Sequence, residues 1–158
     1  MSRPEPAEWW FEDFHPGQVF TSQARTITES DIAWFAAWSW DTNPVHTDAE
    51  SSRAGRFGGP IAHGLLGLSV ALGLASRIGV FERCSVALLN VDEWRFLHPV
   101  RAGDTLSCRV EIIATRLTSK GNSGVLQRRF TVIDQDRQVV QEGRIDLMVA
   151  VAPRSAPP

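Results

Sequence analysis

An aspartate, an asparagine and a histidine lie within six positions of one another, at Asp41, Asn43 and His46. An aspartate and a histidine can share acid–base work, because one group can take a proton from water while the other gives one. Asn43 has both donors and acceptors, so it can orient either partner. Pro44 disfavours a helical conformation for Asn43, so the segment should be a turn, and loops on a rigid scaffold often carry catalytic groups. The same residues also fit structural roles, with Asp41 capping the turn and His46 satisfied at the surface.

The second feature is the stretch from Pro60 to Ser76, which contains no Asp, Glu, Lys or Arg. Its apolar residues fall on all faces of a helix, and this pattern predicts a helix that is buried on every side, with Pro60 in its first turn. Each glycine within it would weaken an isolated helix by roughly 1 kcal/mol, so tertiary packing must hold the helix. A membrane span is the competing interpretation, and the short length, the glycines and His63 count against it.

The start of this helix is a second place for chemistry. The unpaired amides and the positive end of the helix dipole favour negative charge on an oxygen atom. Gly64 would let a substrate carbonyl approach the backbone without interference from a Cβ atom. Close packing against a strand would also explain Gly64. For His63 we favour a hydrogen bond that ties the helix start to a neighbouring loop over a catalytic role.

Composition predicts one ordinary domain over residues 1–158, with 43% apolar and 22% charged residues, and with Pro-, Ser- and Ala-rich ends at 1–8 and 153–158 that we expect to be unstructured. The net charge of −2 offers no basic footprint, so we expect no nucleic-acid partner. Cys84 and Cys108 stand alone in the sequence. Without a signal peptide, a reducing cytoplasm is the expected location.

The remaining pattern predicts the elements that would position these residues. Residues 19–27 read as a strand. A helix should begin at the cap formed by Thr28 and Asp31 and end near Trp40, with Trp34 and Trp38 used in core or interface packing. Four β-rich runs joined by short links then predict an antiparallel meander, at residues 85–99, 104–119, 124–134 and 139–151. One strand, two helices and four long strands make an α+β domain in which a sheet wraps the central helix.

Other chemistries lack their sequence signals. The four histidines fall in no metal-ligand spacing and neither cysteine joins them, so we expect no metal site. There is no GxSxG, GxGxxG or Walker-type loop. The glycine-rich segment 55–64 does not follow a strand of a βαβ unit, so it is not expected to bind phosphate.

The two short segments together resemble a known family. Asp41-x-Asn43-Pro44-x-His46, followed by Pro60-Ile61-Ala62-His63-Gly64-Leu65, is similar to the paired motifs of the MaoC-like dehydratase and (R)-specific enoyl-CoA hydratase family. Residues 11–17 and 95–104 are similar as well. The resemblance covers roughly residues 11–150.

The resemblance implies a hot-dog fold, which is an antiparallel sheet wrapped around one long helix, and a homodimer or a higher assembly of dimers. It implies an acyl thioester ligand. We expect coenzyme A or phosphopantetheine only as part of the substrate, with no other cofactor and no membrane partner. It carries over Asp41 and His46 as the acid–base pair and the Gly64 amide as an oxyanion donor. The residues expected to contact the substrate or orient the site are Asn43, Gly64, Leu65 and Trp40. The implied reaction is the interconversion of trans-2-enoyl and (3R)-3-hydroxyacyl thioesters.

Two departures from the family pattern concern substrate binding. Trp40 stands where many members have glycine directly before the aspartate, and a bulky indole there could narrow the acyl pocket. Leu72 stands where some members have serine. A hot-dog thioesterase, a dehydratase or amine-adding relative acting on carrier-protein-bound chains, and a non-catalytic binding module are the alternatives. The thioesterase is less favoured because residues 60–76 offer no carboxylate.

Overall fold

A computed structural model of the chain describes residues 8–153. The described elements are a short 3-10 helix (Phe11–Asp13), strands β1 (Val19–Thr21) and β2 (Arg25–Thr26), helices α1 (Glu29–Ser39), α2 (Pro44–Thr47), α3 (Ala49–Arg53) and α4 (Gly64–Ser76), and strands β3 (Ser85–Phe96), β4 (Thr105–Leu117), β5 (Ser123–Ile133) and β6 (Val139–Ala150). The predicted α+β class is confirmed, and the four long strands match the four β-rich runs.

The strands form one antiparallel sheet in the order β1-β4-β5-β6-β3, and β2 also pairs with β4. The meander prediction is correct for β4, β5 and β6 but wrong for β3, which pairs with β6 instead of β4. The link from β3 to β4 is not a hairpin because its backbone is bonded elsewhere: the Leu97 amide donates to the Val140 carbonyl, and the Val100 carbonyl accepts from the Ala62 amide. This link therefore passes beside the residues that lead into α4.

The predicted single strand over 19–27 is interrupted at Ser22. The Ser22 amide donates to the carbonyl of Cys108, and the Ser22 hydroxyl accepts from the Cys108 amide, each at 2.9 Å. Because a side-chain oxygen replaces a backbone acceptor there, the ladder breaks into β1 and β2, although both remain on β4.

The predicted cap of α1 is confirmed. The Thr28 hydroxyl accepts from the Asp31 amide at 3.2 Å, and the Asp31 carboxylate accepts from the Thr28 amide at 2.8 Å. Burial opposes ionisation of Asp31, but hydrogen bonds from Thr28 and Arg25 outweigh that effect and leave its pKa below the ordinary value. Trp34 and Trp38 are 76% and 83% exposed, so core packing is the wrong explanation for them. Interface packing stays a prediction.

Helix α4 lies against the sheet, but only one of its faces is covered. Its buried residues are Leu66, Gly67, Ala71, Leu74 and Ala75. Leu65, Ser69, Gly73 and Arg77 form an exposed stripe on the other side. The prediction of a helix buried on every side is therefore wrong for the single chain, because the sheet covers one face of α4 and leaves the opposite face exposed.

The helix also begins later than predicted, at Gly64 rather than near Pro60. The amides of Ile61 and Ala62 donate to the carbonyls of Val45 and Val100, and these bonds hold the lead-in outside the helix. His63, with φ −59° and ψ 139°, is the N-cap residue. The lead-in to α4 is thus tied to α2 and to the β3–β4 link.

Most of the ends that we expected to be unstructured, residues 1–7 and 154–158, lie outside the described residues. Glu8, which belonged to that expectation, forms an ion pair with Arg83 at 2.5 Å. Within residues 8–153, no helix combines the length and hydropathy that crossing a membrane requires.

Candidate active site

The loop after α1 is a short turn that is braced by its own polar groups. The Asp41 Oδ1 atom accepts from the Asn43 amide at 3.4 Å, and the Asn43 Oδ1 atom accepts from the Val45 amide at 3.2 Å. The Thr47 hydroxyl donates back to the carbonyls of Thr42 and Asn43 at 3.0 and 3.2 Å. Asn43 therefore caps α2 and fixes the shape of the loop that carries Asp41 and His46.

The His46 imidazole is held through one nitrogen and leaves the other free. Its Nδ1 atom lies 2.7 Å from the carbonyl oxygen of Ile61. A carbonyl only accepts, so Nδ1 carries the hydrogen and the lone pair of the neutral ring is on Nε2. Nε2 is 4.0 Å from Asp41 Oδ2, which is too far for a hydrogen bond. A water bonded to both groups would lie to one side of the line that joins them.

His63 contacts both members of this pair. Its ring stacks on that of His46 with centroids 3.8 Å apart, and the Phe35 ring lies 4.9 Å from it on another side. The Nε2 atom of His63 donates to the carbonyl of Asp41 at 2.8 Å, which is the tie between helix start and loop that we favoured from sequence. His63 is 2% exposed, and its buried Nδ1 atom has no partner among the described residues.

The start of α4 offers amides to the same region. The amides of Gly64 and Leu65 are not bonded to any other described residue, because the first amides of a helix have no partner within it. A Cβ atom on Gly64 would lie 2.8 Å from the Phe96 ring. Close packing against β3 and an accessible amide therefore both require glycine at this position.

A glutamine on β6 fixes the first turn of α4. The Gln141 Nε2 atom donates to the Gly64 carbonyl at 3.1 Å, and the Trp94 Nε1 atom donates to the Gln141 Oε1 atom at 3.2 Å. Gln141 is 3% exposed. A Cβ atom on Gly67 would lie 2.1 Å from the amide nitrogen of Gln141, so glycine there is what lets the glutamine approach the helix.

These groups border one cleft of about 730 Å³ between the loop, the start of α4 and the β3–β4 link. Asp41, His46, Gly64 and Leu65 line it, together with apolar side chains that include Phe96. Leu65 is 58% exposed. Asn43 and Trp40 are not among the described residues that line the cleft, and Trp40 is 89% exposed at the end of α1.

The conformation of Trp40 shows why glycine suits this position, and nothing in the structure explains the tryptophan. Its φ of 64° and ψ of 10° are left-handed, a region that glycine adopts freely and other residues adopt at a cost of roughly 1–2 kcal/mol. The indole is exposed to solvent and does not line the cleft. Its role in substrate binding stays a prediction.

Three side chains could also hold a metal ion. The ligand atoms of Asp41, His46 and His63 lie within 4.8 Å of one another, a grouping that their sequence spacing does not reveal. The donor set of two imidazoles and one carboxylate suits several transition metals. The hydrogen bonds described above already use one nitrogen of each histidine.

Sequence reasoning missed Gln141, Trp94 and Phe96 as neighbours of the site. The available signal was weak: Gln141 is a polar residue among apolar neighbours in a predicted strand. The contact depends on β6 and β3 lying side by side, which the expected meander did not provide.

Comparison with known proteins identifies the family. A family model described as a MaoC like domain matches residues 13–132. The chain belongs to the MaoC-like family. A protein named (R)-specific enoyl-CoA hydratase, from Rhodospirillum rubrum, is 34% identical over 149 residues, which cover 94% of this chain and 97% of that protein. Protein MaoC from Klebsiella aerogenes is 35% identical over 108 residues, or 68% of this chain, and the match spans only 32% of that longer protein.

Comparison with solved structures identifies the fold. A Mycobacterium tuberculosis protein, described as having a double hot-dog fold, matches this chain with a TM-score of 0.84 at 25% identity, over 96% of this chain and 47% of that one. The fold is therefore the hot-dog fold, as the motif resemblance implies. Because its relative from Rhodospirillum rubrum is named a hydratase, this MaoC-like chain is related to hydratases.

Proposed function

We propose that this protein is a hydro-lyase that interconverts trans-2-enoyl and (3R)-3-hydroxyacyl thioesters. The observation that carries the proposal is the meeting of three groups at one cleft: the free Nε2 atom of His46, the Asp41 carboxylate 4.0 Å from it, and the unpaired Gly64 amide. The motif pair and the relative named (R)-specific enoyl-CoA hydratase support the same reading.

In the proposed reaction the thioester carbonyl oxygen accepts a hydrogen bond from the Gly64 amide. This contact draws electron density from the double bond and makes C3 open to attack. As the enolate forms, its negative charge gathers on that oxygen, where the positive end of α4 also stabilises it. An oxyanion donor of this kind is worth about 10²–10³-fold in rate.

The water lies between Asp41 and His46. Its oxygen bonds to C3 while the His46 Nε2 atom takes one proton and the Asp41 carboxylate accepts a hydrogen bond from the remaining O–H. The protonated pair then returns a proton to C2 on the same face, and the carbonyl re-forms. One water is consumed, with hydroxyl at C3 and hydrogen at C2. Dehydration is the reverse. Such acid–base help supplies about 10²–10⁴-fold.

The other residues of the proposed site act through these groups. Asn43 orients the loop, and His63 holds the His46 ring by stacking and the Asp41 backbone by its hydrogen bond. Leu65 contacts the substrate within the cleft. The substrate carries its own coenzyme A or phosphopantetheine arm, and the proposed reaction uses no other cofactor and no metal.

We assign the edge strand β3 to contact with a second copy of the chain. Its exposed apolar side chains include Val86, Leu88, Leu89 and Val91, which are 40–55% exposed. The strand ends the sheet in the described chain, so its free backbone groups and apolar side chains are open to another strand. A homodimer, or an assembly of dimers, would cover this edge.

The test is a reaction assay on the full chain with crotonyl-CoA. Loss of enoyl absorbance and release of free thiol are followed in parallel, and the product made in deuterium oxide is analysed for chirality. The proposal expects enoyl loss without thiol release, a (3R)-hydroxyl at C3, and deuterium at C2 on the same face. Thiol release without a hydroxyacyl product would indicate a thioesterase and contradict the proposal.

A further inference from the structure

A second depression runs along the outer face of α4, apart from the acid–base pair. It is a groove of about 570 Å³ between α1 and α4, hereafter the α1–α4 groove. Its wall on α1 is formed by Trp34, Phe35 and Trp38, and its floor on α4 includes Leu66, Val70 and Gly73. The surface that it exposes is mainly apolar.

Gly73 marks an empty place in this groove. It lies in the interior of α4, where alanine is the better helix former, and it is solvent-exposed. A Cβ atom added there would meet no atom within 4 Å outside its own turn of helix. Gly64 and Gly67 differ, since a Cβ at either would lie under 3 Å from a neighbouring side chain. Packing among the described residues thus explains the first two glycines of α4 but not the third.

The wall of the groove exposes two large aromatic side chains to solvent. Trp34 and Trp38 stand four residues apart on one ridge of α1 and are 76% and 83% exposed. An exposed apolar patch of this kind marks a site of contact with a ligand or partner. Charged groups line only its border: Arg25, which pairs with Asp31 at 2.5 Å, and Arg77 beyond the end of α4.

The groove adjoins the catalytic cleft. Phe35 and Trp38 line both spaces, and the Phe35 ring is 4.9 Å from the ring of His63. From Leu66 to Leu74 the uncharged floor extends about 12 Å along the helix, directed away from Gly64. None of the exposed β3 residues that we assign to the second copy lines the groove.

We propose that the α1–α4 groove binds the apolar acyl chain of the thioester, so that the preferred substrates carry chains extending well beyond C3. This inference rests on the proposed function for its reaction, but not for the binding itself. An apolar chain fits the uncharged floor, the aromatic wall and the empty place above Gly73. Each methylene buried there raises affinity by about two- to fourfold until the groove is filled.

The test fills the empty place with Gly73→Leu. Leucine favours a helix, and the space for its Cβ atom is open, so the variant should fold; thermal unfolding checks this. Ser76→Leu is the matched control, because it adds the same side chain at an exposed position of α4 that does not line the groove. The substrates are crotonyl-CoA and trans-2-decenoyl-CoA, compared by kcat/KM.

The wild type and Ser76→Leu should prefer decenoyl-CoA. Gly73→Leu should lose at least tenfold on decenoyl-CoA and stay within twofold of the wild type on crotonyl-CoA. Equal losses on both substrates, or no loss on either, would overturn the proposal. A change of oligomeric state in Gly73→Leu by sedimentation would overturn it too, since a second copy would then occupy the groove.

A binding measurement tests the groove independently of the proposed reaction. Saturated decanoyl-CoA and butanoyl-CoA cannot be hydrated, and isothermal titration calorimetry gives their dissociation constants. If the protein hydrates no enoyl thioester, the proposed function fails, yet a loss of decanoyl-CoA binding in Gly73→Leu alone still supports the groove. Unchanged decanoyl-CoA binding in that variant contradicts it.

Discussion

Gly64 and Gly67 lie where other side chains press on the backbone of α4, whereas Gly73 lies where nothing does. Glycine therefore allows close packing at two positions of α4 and leaves an open space at the third. At the start of α4, Phe96 and Gln141 occupy the space that a Cβ would fill, and the backbone is held in place. At Gly73, nearer the end of α4, no other side chain occupies the space that a Cβ would fill.

The contrast extends to the surroundings. The catalytic corner is built from buried contacts, with His63 and Gln141 only 2–3% exposed and each bonded to a backbone carbonyl. The α1–α4 groove is walled by tryptophans that are mostly exposed. Chemistry needs groups fixed to within a fraction of an ångström, while an apolar chain needs only room and surface.

Alanine placed at the two kinds of glycine should give opposite results. Gly67→Ala forces its Cβ against the buried amide of Gln141 and should lower the free energy of unfolding by about 1–3 kcal/mol. Gly73→Ala meets no neighbour and should raise it by up to about 1 kcal/mol, since alanine is the better helix former. Urea denaturation measures both. Two changes of the same sign would contradict the contrast.

Gln141 should act on the position of the Gly64 peptide rather than on substrate affinity. Gln141→Met keeps the size of the side chain but removes the donor to the Gly64 carbonyl. We expect kcat to fall about tenfold, equivalent to roughly 1.4 kcal/mol, with KM nearly unchanged. Gln138→Met, at an exposed position before β6, is the control. A rise in KM at constant kcat would show that Gln141 serves binding instead.

Trp40 tests whether the loop tolerates release of local strain. Trp40→Gly relieves the left-handed conformation and should stabilise the fold by at most about 1 kcal/mol, because the greater freedom of glycine in the unfolded chain offsets part of the gain. The indole does not line the cleft, so hydration of crotonyl-CoA should stay within twofold. A large loss of activity in this variant would give Trp40 a direct role in binding.

Local contacts were predicted from the sequence more completely than distant ones, although the distant tie from His63 to the loop of Asp41 was also expected. Asp41, Asn43 and His46 occupy one turn, so their proximity could be read from spacing alone. The stacking of His63 on His46 and the bond from Gln141 to Gly64 join residues 17 and 77 positions apart and depend on the tertiary fold. The pairing of β3 with β6 was missed because short links favour neighbours, and a link that bonds to other elements looks the same in sequence.

The error over α4 has a similar cause. Ser69 and Gly73 are small and uncharged, and hydropathy does not distinguish such residues on a covered face from the same residues on an open groove. The exposed stripe becomes visible only when α1 is placed beside it. The aromatic pair Trp34 and Trp38 was noted in the sequence, but nothing there indicated which surface it faced.

The central claim is that Asp41 and His46 act together on one water. The most direct measurement is the rate of crotonyl-CoA hydration by Asp41→Asn, His46→Ala and the double variant. Glu50→Gln and His15→Ala serve as controls, a carboxylate and a histidine that do not line the cleft. The account predicts a loss of about 10²–10⁴-fold in each single variant, little further loss in the double variant, and near wild-type rates in both controls. Single variants that keep wild-type turnover while remaining folded would contradict it.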